Sequence, residues 1–476
     1  MKRFFSAFVP LLLACPPSSA NPCGELVEDR SSGSCQCPEG TLRTEDPWTC
    51  LLPDGGTIRD PRAPDSSIDG GADAGADARP TDAAPSEDAP LDSSLNDAGC
   101  SFESRCSDGT WVFCEEGSPR EENCPLGCHS DGMRCLELQP SNLPDDICAQ
   151  ARATPDLVVS AGTEVLLDTS TDCEVVVEQG TGPDLCVHLH RNITIASDGM
   201  VRGVVSVPTV NRALVLVAAE AFELAGRVDA SWNVANAAEP SGPGRDGPGA
   251  VGTGVGVDST TAGGGGGGAS FGSRGGRSAD VNAGPAGDTY GSNALVPLVG
   301  GSRGGSARAF FTALGGGGGG AVQLVGCRQM SITGVVSANG AGGQGGTKDV
   351  ASPALAEGGG GGSGGAILVE SPTFLELSGA LVANGGGGGG AIATGGPGAA
   401  RTGNAGRLDG EPAAGGTGNR GIGGLGGSLL GAATGGTSSA GGGGGAGRIR
   451  VNGATLIDLD GMIVSPEPSL GLARGH

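Results

Sequence analysis

Four stretches of this chain share one spacing: two apolar residues with a single position between them, a third apolar residue eight positions on, then glycine, then a fourth. They read Leu214, Leu216, Leu224, Gly226, Val228; Val322, Leu324, Ile332, Gly334, Val336; Ile367, Val369, Leu377, Gly379, Leu381; and Ile449, Val451, Leu459, Gly461, Ile463. Between the apolar positions sit Gln323, Glu376, Arg450, Asp458 or small residues, the period-two alternation of strands with one buried face. Each copy predicts a strand ending near Leu216, Leu324, Val369 or Val451, a bend, and a second strand that contains the glycine. Gly326, Gly453 and Ser371-Pro372 suit the bends, through freedom at positive φ or a fixed φ. Further strand-like runs lie at 157–160, 164–168, 173–178 and 185–195, and no stretch after 145 sustains a helical period.

A unit this small cannot bury its own apolar face, but copies stacked at about 4.8 Å would bury it and pair their edges. The expected fold class is therefore all-β: a parallel β-helix or solenoid-like domain over 145–476 with glycine-rich insertions. The copies start at 214, 322, 367 and 449, and the last interval is close to twice the middle one. Strand layers between copies are thus either degenerate or replaced by the glycine-rich stretches at 233–320 and 385–446. Glycine fills 96 positions, and 1 Tyr, 3 Trp and 10 Phe are the only aromatics, which predicts a thin aliphatic core. The runs at 263–268, 315–320, 358–362, 385–390 and 441–445 are expected to be extended segments packed side by side, since several abut a strand at a fixed place.

Before the strands the composition changes several times. Residues 1–20 have the parts of an export signal: Lys2 and Arg3, an apolar run from Phe4 to Ala14, then small residues. Leu12-Leu13-Ala14-Cys15 resembles a bacterial lipobox and makes Cys15 a candidate lipidation site, while Ser18-Ser19-Ala20 offers ordinary cleavage. Residues 21–52 hold Cys23, Cys35, Cys37 and Cys50, and the part from Cys35 looks like the second half of an EGF-like module. Residues 53–99, rich in Asp, Ala, Pro and Ser, read as a disordered acidic linker; the Asp69–Asp77 run lacks the spacing of a calcium loop. Residues 100–144 contain Cys100, Cys106, Cys114, Cys124, Cys128 and Cys135, with Trp111 and Phe113 as a small core. No CxxC pair is present there, so disulfides are expected rather than zinc. Cys148, Cys173, Cys186 and Cys327 complete an even number of candidates for an oxidising compartment.

A net charge of -24 disfavours nucleic acid and anionic membrane surfaces and leaves neutral glycans or other surface components as partners, with membrane contact only through a lipid. The residue before the third apolar position of each copy, Glu223, Ser331, Glu376 or Asp458, is expected to point outward in one column. Adjacent carboxylates there would suit Ca2+ or glycoside hydrolysis, although a solvated face is the plainer reading. Cys186, His188 and His190 share one strand face and form a conceivable metal trio; two surface histidines beside a Cys173–Cys186 disulfide explain them more simply. Gly345-Gly346-Thr347-Lys348 lacks phosphate-loop spacing, and no nucleophile has the context of a catalytic triad. No catalytic residue, metal or cofactor is assigned.

The lipobox-like signal, the cysteine modules, the Asp/Ala-rich linker and the strand-plus-glycine repeats together resemble the glycine-rich surface lipoproteins of myxobacterial type. The resemblance spans the whole chain and implies an extracytoplasmic place, at the outer membrane or secreted, and a fold style, with no activity. The expectation is a structural or adhesive surface protein that is not an enzyme. The alternative is a polysaccharide lyase or glycoside hydrolase on the same framework.

Overall fold

A computed structural model describes residues 100–476 except 101–102, 116–117, 208, 232–253, 260–263, 308–312, 349–354, 394–397 and 456. Before residue 100 it describes only short backbone strands. The chain divides into two units, 1–92 and 93–476. In the first, Val27–Asp29 pairs with Ser34–Gln36, and Leu42–Arg43, Thr49–Leu51 and Thr57–Arg59 form an antiparallel sheet. Thr57–Arg59 lies beyond residue 52, so regular structure continues past the boundary expected for the first cysteine module. Cys15, Cys23, Cys35, Cys37 and Cys50 lie outside the residues whose side chains are described.

The second unit is strand-rich, and its one α-helix among the described residues is Ile147–Arg152. Its framework is three sheets of mainly parallel strands. The long sheet runs from Val175–Val177 through Leu185–His190, Ala213–Ala218, Ala321–Gly326, Ala366–Glu370 and Arg448–Gly453 to Ser469–Leu472; only its first pair is antiparallel. A middle sheet joins Leu157–Val159, Ile193–Ile195, Ala221–Leu224, Gln329–Ile332 and Phe374–Leu377. The third sheet joins Glu164–Asp168, Met200–Val204, Arg227–Asp229, Val335–Ser337, Ala380–Val382 and Ile463–Ser465. The chain visits long, middle and third sheet in turn, then repeats.

Each of the first three repeats of the spacing is thus three strands, not two, with its glycine at the corner between the second and third; the fourth has no middle-sheet strand among the described residues. At Gly334 a Cβ would overlap the Gly226 carbonyl, and at Gly379 the Gly334 carbonyl, which is why that corner excludes side chains. The apolar positions align in register: Leu214, Val322, Ile367 and Ile449; Leu216, Leu324, Val369 and Val451; Leu224, Ile332 and Leu377. The fourth column continues from Val228, Val336 and Leu381 to Val464, not Ile463. Val464 is 9% exposed and Ile463 47%, so the last copy carries one extra residue before its final strand. Leu459 packs on the core from outside any strand. These columns, with Ile193, Ile195 and Val201, form one core shared by all three sheets. Burial of each Val, Leu or Ile stabilises by roughly 1.5–3 kcal/mol, so aliphatic layers suffice.

The strands starting near 214, 322, 367 and 449 are immediate neighbours, so the unequal intervals contain no hidden strand layers. The intervening residues leave at one corner, after the third sheet and before the long one. Each departure closes with the same backbone bond: Gly320 N–H donates to Ala230 O at 2.8 Å, Gly365 to Ala338 O at 2.7 Å, and Gly447 to Ala383 O at 2.7 Å. Because all the insertions spring from one corner, their glycine runs meet. From 358 onward every third residue donates to the same neighbour: 358, 361 and 364 to 439, 442 and 445; 359, 362 and 365 to 344, 341 and 338; 360 and 363 to 305 and 302. Three residues per turn is the period of an extended polyproline-II-type helix, and here the carbonyls of adjoining segments receive the amides that such helices ordinarily leave to water.

The long sheet is buried on both faces, contrary to the one-sided burial expected from its alternation. Its outer face carries Leu185, Val187, Leu189, Val215, Val217, Val325 and Leu368, covered by Ile147 and Cys148 of the helix and by Phe271, Leu295 and Leu298 of the first insertion. The cover is fastened at several points, and Leu138–Gln139 pairs with Arg474–Gly475. Cys148 bonds to Cys327, and Glu370 accepts hydrogen bonds from Ser141 N–H at 3.0 Å, Ser141 Oγ at 2.8 Å, Gln323 Nε2 at 2.7 Å and Asn452 Nδ2 at 2.8 Å.

Candidate functional site

Residues 100–135 form a three-stranded antiparallel sheet, Arg105–Ser107, Thr110–Glu115 and Ser118–Asn123, closed by Cys100–Cys114, Cys106–Cys128 and Cys124–Cys135. Cys106, Cys124 and Cys128 are the closest grouping of potential metal ligands among the described residues, and disulfides already engage all three sulfurs. Trp111 stacks on Phe113 with ring centroids 4.1 Å apart. The pair is not a closed core: both rings are only partly buried, and Trp111 faces a cavity of about 820 Å³ between this module and the long sheet.

The cavity wall combines Trp111, Glu122 and Arg134 from the module with Arg152, Glu220 and Arg328 from the framework. Arg328 pairs with Glu220 at 3.0 Å and also with Glu122, so one guanidinium bridges the two walls. Arg152 pairs with Glu137 at 3.0 Å and reaches Glu220 at 3.9 Å, and Arg134 pairs with Asp131 at 3.6 Å. The indole Nε1 of Trp111 is buried without an acceptor among the described residues. Cys135, Cys148 and Cys327 line the same space, so disulfides hold both walls. Its volume, mixed lining and convergent polar groups make it the candidate site.

The acid column is only partly assembled. Thr194, Glu223, Ser331 and Glu376 are in register along the middle sheet, with Glu223 and Glu376 exposed. Ser331 stands between the two carboxylates, which puts them two strand spacings of about 4.8 Å apart on an exposed face. Asp458 lies in no strand and accepts a bond from the Asp460 amide instead.

The expected Cys173–Cys186 disulfide is present and removes Cys186 from any ligand set. His188 is not a surface residue: it is 4% exposed, in register with Leu216 of the core, and burial pushes its imidazole below the ordinary value of 6.5, opposed by the nearby Glu174. His190 is partly exposed and its Nδ1 lies 3.2 Å from the Pro155 carbonyl. Sequence reasoning missed Glu370. Burial raises its carboxyl above the ordinary 4.5, and its hydrogen-bond donors are neutral groups. The cavity was missed as well, because its residues are scattered over seven segments with no local spacing to reveal them.

Comparison with protein-family models, characterised proteins and solved structures yields no match. Among the described residues no helix is long and apolar enough to cross a membrane.

Proposed function

We propose that this chain is an exported cell-surface protein with a structural or adhesive role and no catalytic activity, held by a lipid on Cys15 or released after signal cleavage. In this reading the three sheets are the faces of one parallel β-solenoid, and the protein is of the glycine-rich surface lipoprotein type that its sequence resembles. The observation that carries the reading is where the insertions go. They leave a single corner and fill the space beyond it with mutually bonded glycine backbone. Glycine offers no acid, base or nucleophile. The disulfides in both walls of the candidate cavity fit an oxidising location.

The polysaccharide-active alternative needs two carboxylates converging on a bound glycan. Glu223 and Glu376 instead flank Ser331 on an open face. The discriminating experiment incubates the full-length protein with neutral and acidic polysaccharides and measures new reducing or unsaturated ends. None is expected, and release of either would overturn the non-catalytic reading. Cys15→Ser should move the protein from the membrane to the soluble fraction, and retention at the membrane would refute the lipid anchor.

A further inference from the structure

We propose that the cavity between the cysteine module and the long sheet binds a neutral saccharide, seated against Trp111. The inference rests on the adhesive reading and supplies it with a site. Of the charged groups lining the cavity, three are arginines and three are glutamates, Glu122, Glu137 and Glu220, so the wall has no net charge. Each arginine is already ion-paired. A phosphate or carboxylate ligand would have to break those pairs, and a cation would meet carboxylates already neutralised by guanidinium. A polyhydroxylated neutral ligand suits both kinds of group. Its hydroxyls donate to the free lone pairs of the glutamates and accept from the outward N–H groups of the arginines, with every ion pair intact.

Trp111 adds the second half of the argument. A sugar ring has an apolar C–H face and a polar rim, and an indole matches it with an electron-rich face and one N–H donor. That donor, Nε1, is shielded from solvent and has no acceptor among the described residues, so the contact to a sugar is made by the ring face. The walls are held in advance by Cys124–Cys135 and Cys148–Cys327 and bridged by Arg328. Little ordering entropy remains to be lost on binding. Gln329 and Thr373 extend the polar rim.

The test titrates the full-length protein with cellotriose, maltotriose and chitotriose by calorimetry, following indole fluorescence in parallel. At least one should bind with Kd in the millimolar range or tighter. Trp111→Phe shrinks the aromatic face and should weaken binding about threefold. Glu220→Gln, which cannot pair with Arg328, should also weaken it, and the far-UV circular dichroism and melting temperature of both variants should match the parent. No heat with any of the trisaccharides, affinity unchanged in both variants, or preferential capture of a peptide would overturn the proposal. Adhesion of protein-coated beads to glycan surfaces separates the two claims: adhesion that survives in Trp111→Phe and Glu220→Gln refutes the cavity alone, whereas reducing-end release refutes the surface role.

Discussion

At the scale of single residues, glycine is required in two ways, by φ > 0 or by the absence of a side chain. Gly461, with φ of +96°, is of the first kind. Gly360 is of the second: its φ lies outside the left-handed region, yet a Cβ there would overlap the Gly267 carbonyl of another run. Main-chain atoms held in a bonded array cannot step aside as a side-chain tip can. Gly360→Ala should therefore destabilise the protein by at least about 3 kcal/mol, in the upper range for overpacking. Gly180→Ala, where a Cβ meets nothing within 4 Å, should change stability by less than about 1 kcal/mol. Chemical denaturation of the pair checks this, and equal effects would mean that close approach is not what selects glycine in the runs.

At the scale of elements, the repeated spacing revealed the copies that obey it and concealed those that do not. Cys186 and His188 occupy the same columns as Leu214 and Leu216, and Ile195 and Val201 those of Leu224 and Val228. That layer was illegible for two physical reasons. Two of its inward positions are not aliphatic, and its corners are of different length, which breaks the spacing while the register survives. The third strand of each repeat was hidden because the glycine at its corner reads, in sequence, like a residue inside a strand. The two-sided burial of the long sheet was hidden because Gln323 and Glu370 look like solvent positions until Ser141 arrives from far away in the chain to meet them. The candidate cavity is of the same kind, a product of tertiary contact alone.

The cover over the long sheet offers an element-scale prediction. Cys148–Cys327 closes a loop with a sequence separation of 179 and fixes the helix to the end of a central strand. Its removal in Cys148→Ser/Cys327→Ser should cost up to about 5 kcal/mol by loop-closure entropy. Hydrogen exchange should then rise first in 136–153, because its other ties, among them the Glu370 cluster and the pairing of Leu138–Gln139 with Arg474–Gly475, are hydrogen bonds rather than a covalent bond. Uniform loss of protection across the sheets would contradict a separable cover.

At the scale of the whole molecule, two buried groups set opposing pH dependences. Glu370 has its folded value raised above 4.5, so the folded state holds its proton more tightly, and the stability this confers is lost as pH rises from about that point through the raised value. His188 has its folded value depressed below 6.5, so its contribution is complete above that pH and is lost as pH falls toward the depressed value. Thermal melts from acid to neutral pH should show a shallow profile in the parent. Glu370→Gln should unmask a steeper loss toward acid, and His188→Leu, which matches its column partner Leu216, a steeper loss toward neutral. Each displaced proton-binding unit is worth about 1.4 kcal/mol. Parallel profiles in all the proteins would show that neither group titrates during unfolding.

The glycine array also differs from the sheets in how it would bear load. A sheet is bonded along one lateral direction, and strands at its edge can peel away one row at a time. The segment from 358 sends successive amides to three different neighbours, one running alongside it and two running against it. No single plane through such an array is free of hydrogen bonds, so a tear that starts at one segment must break bonds on several fronts at once. Attached to sheets that are bonded along only one axis, it would serve as cross-ply, with stiffness drawn mainly from main-chain atoms.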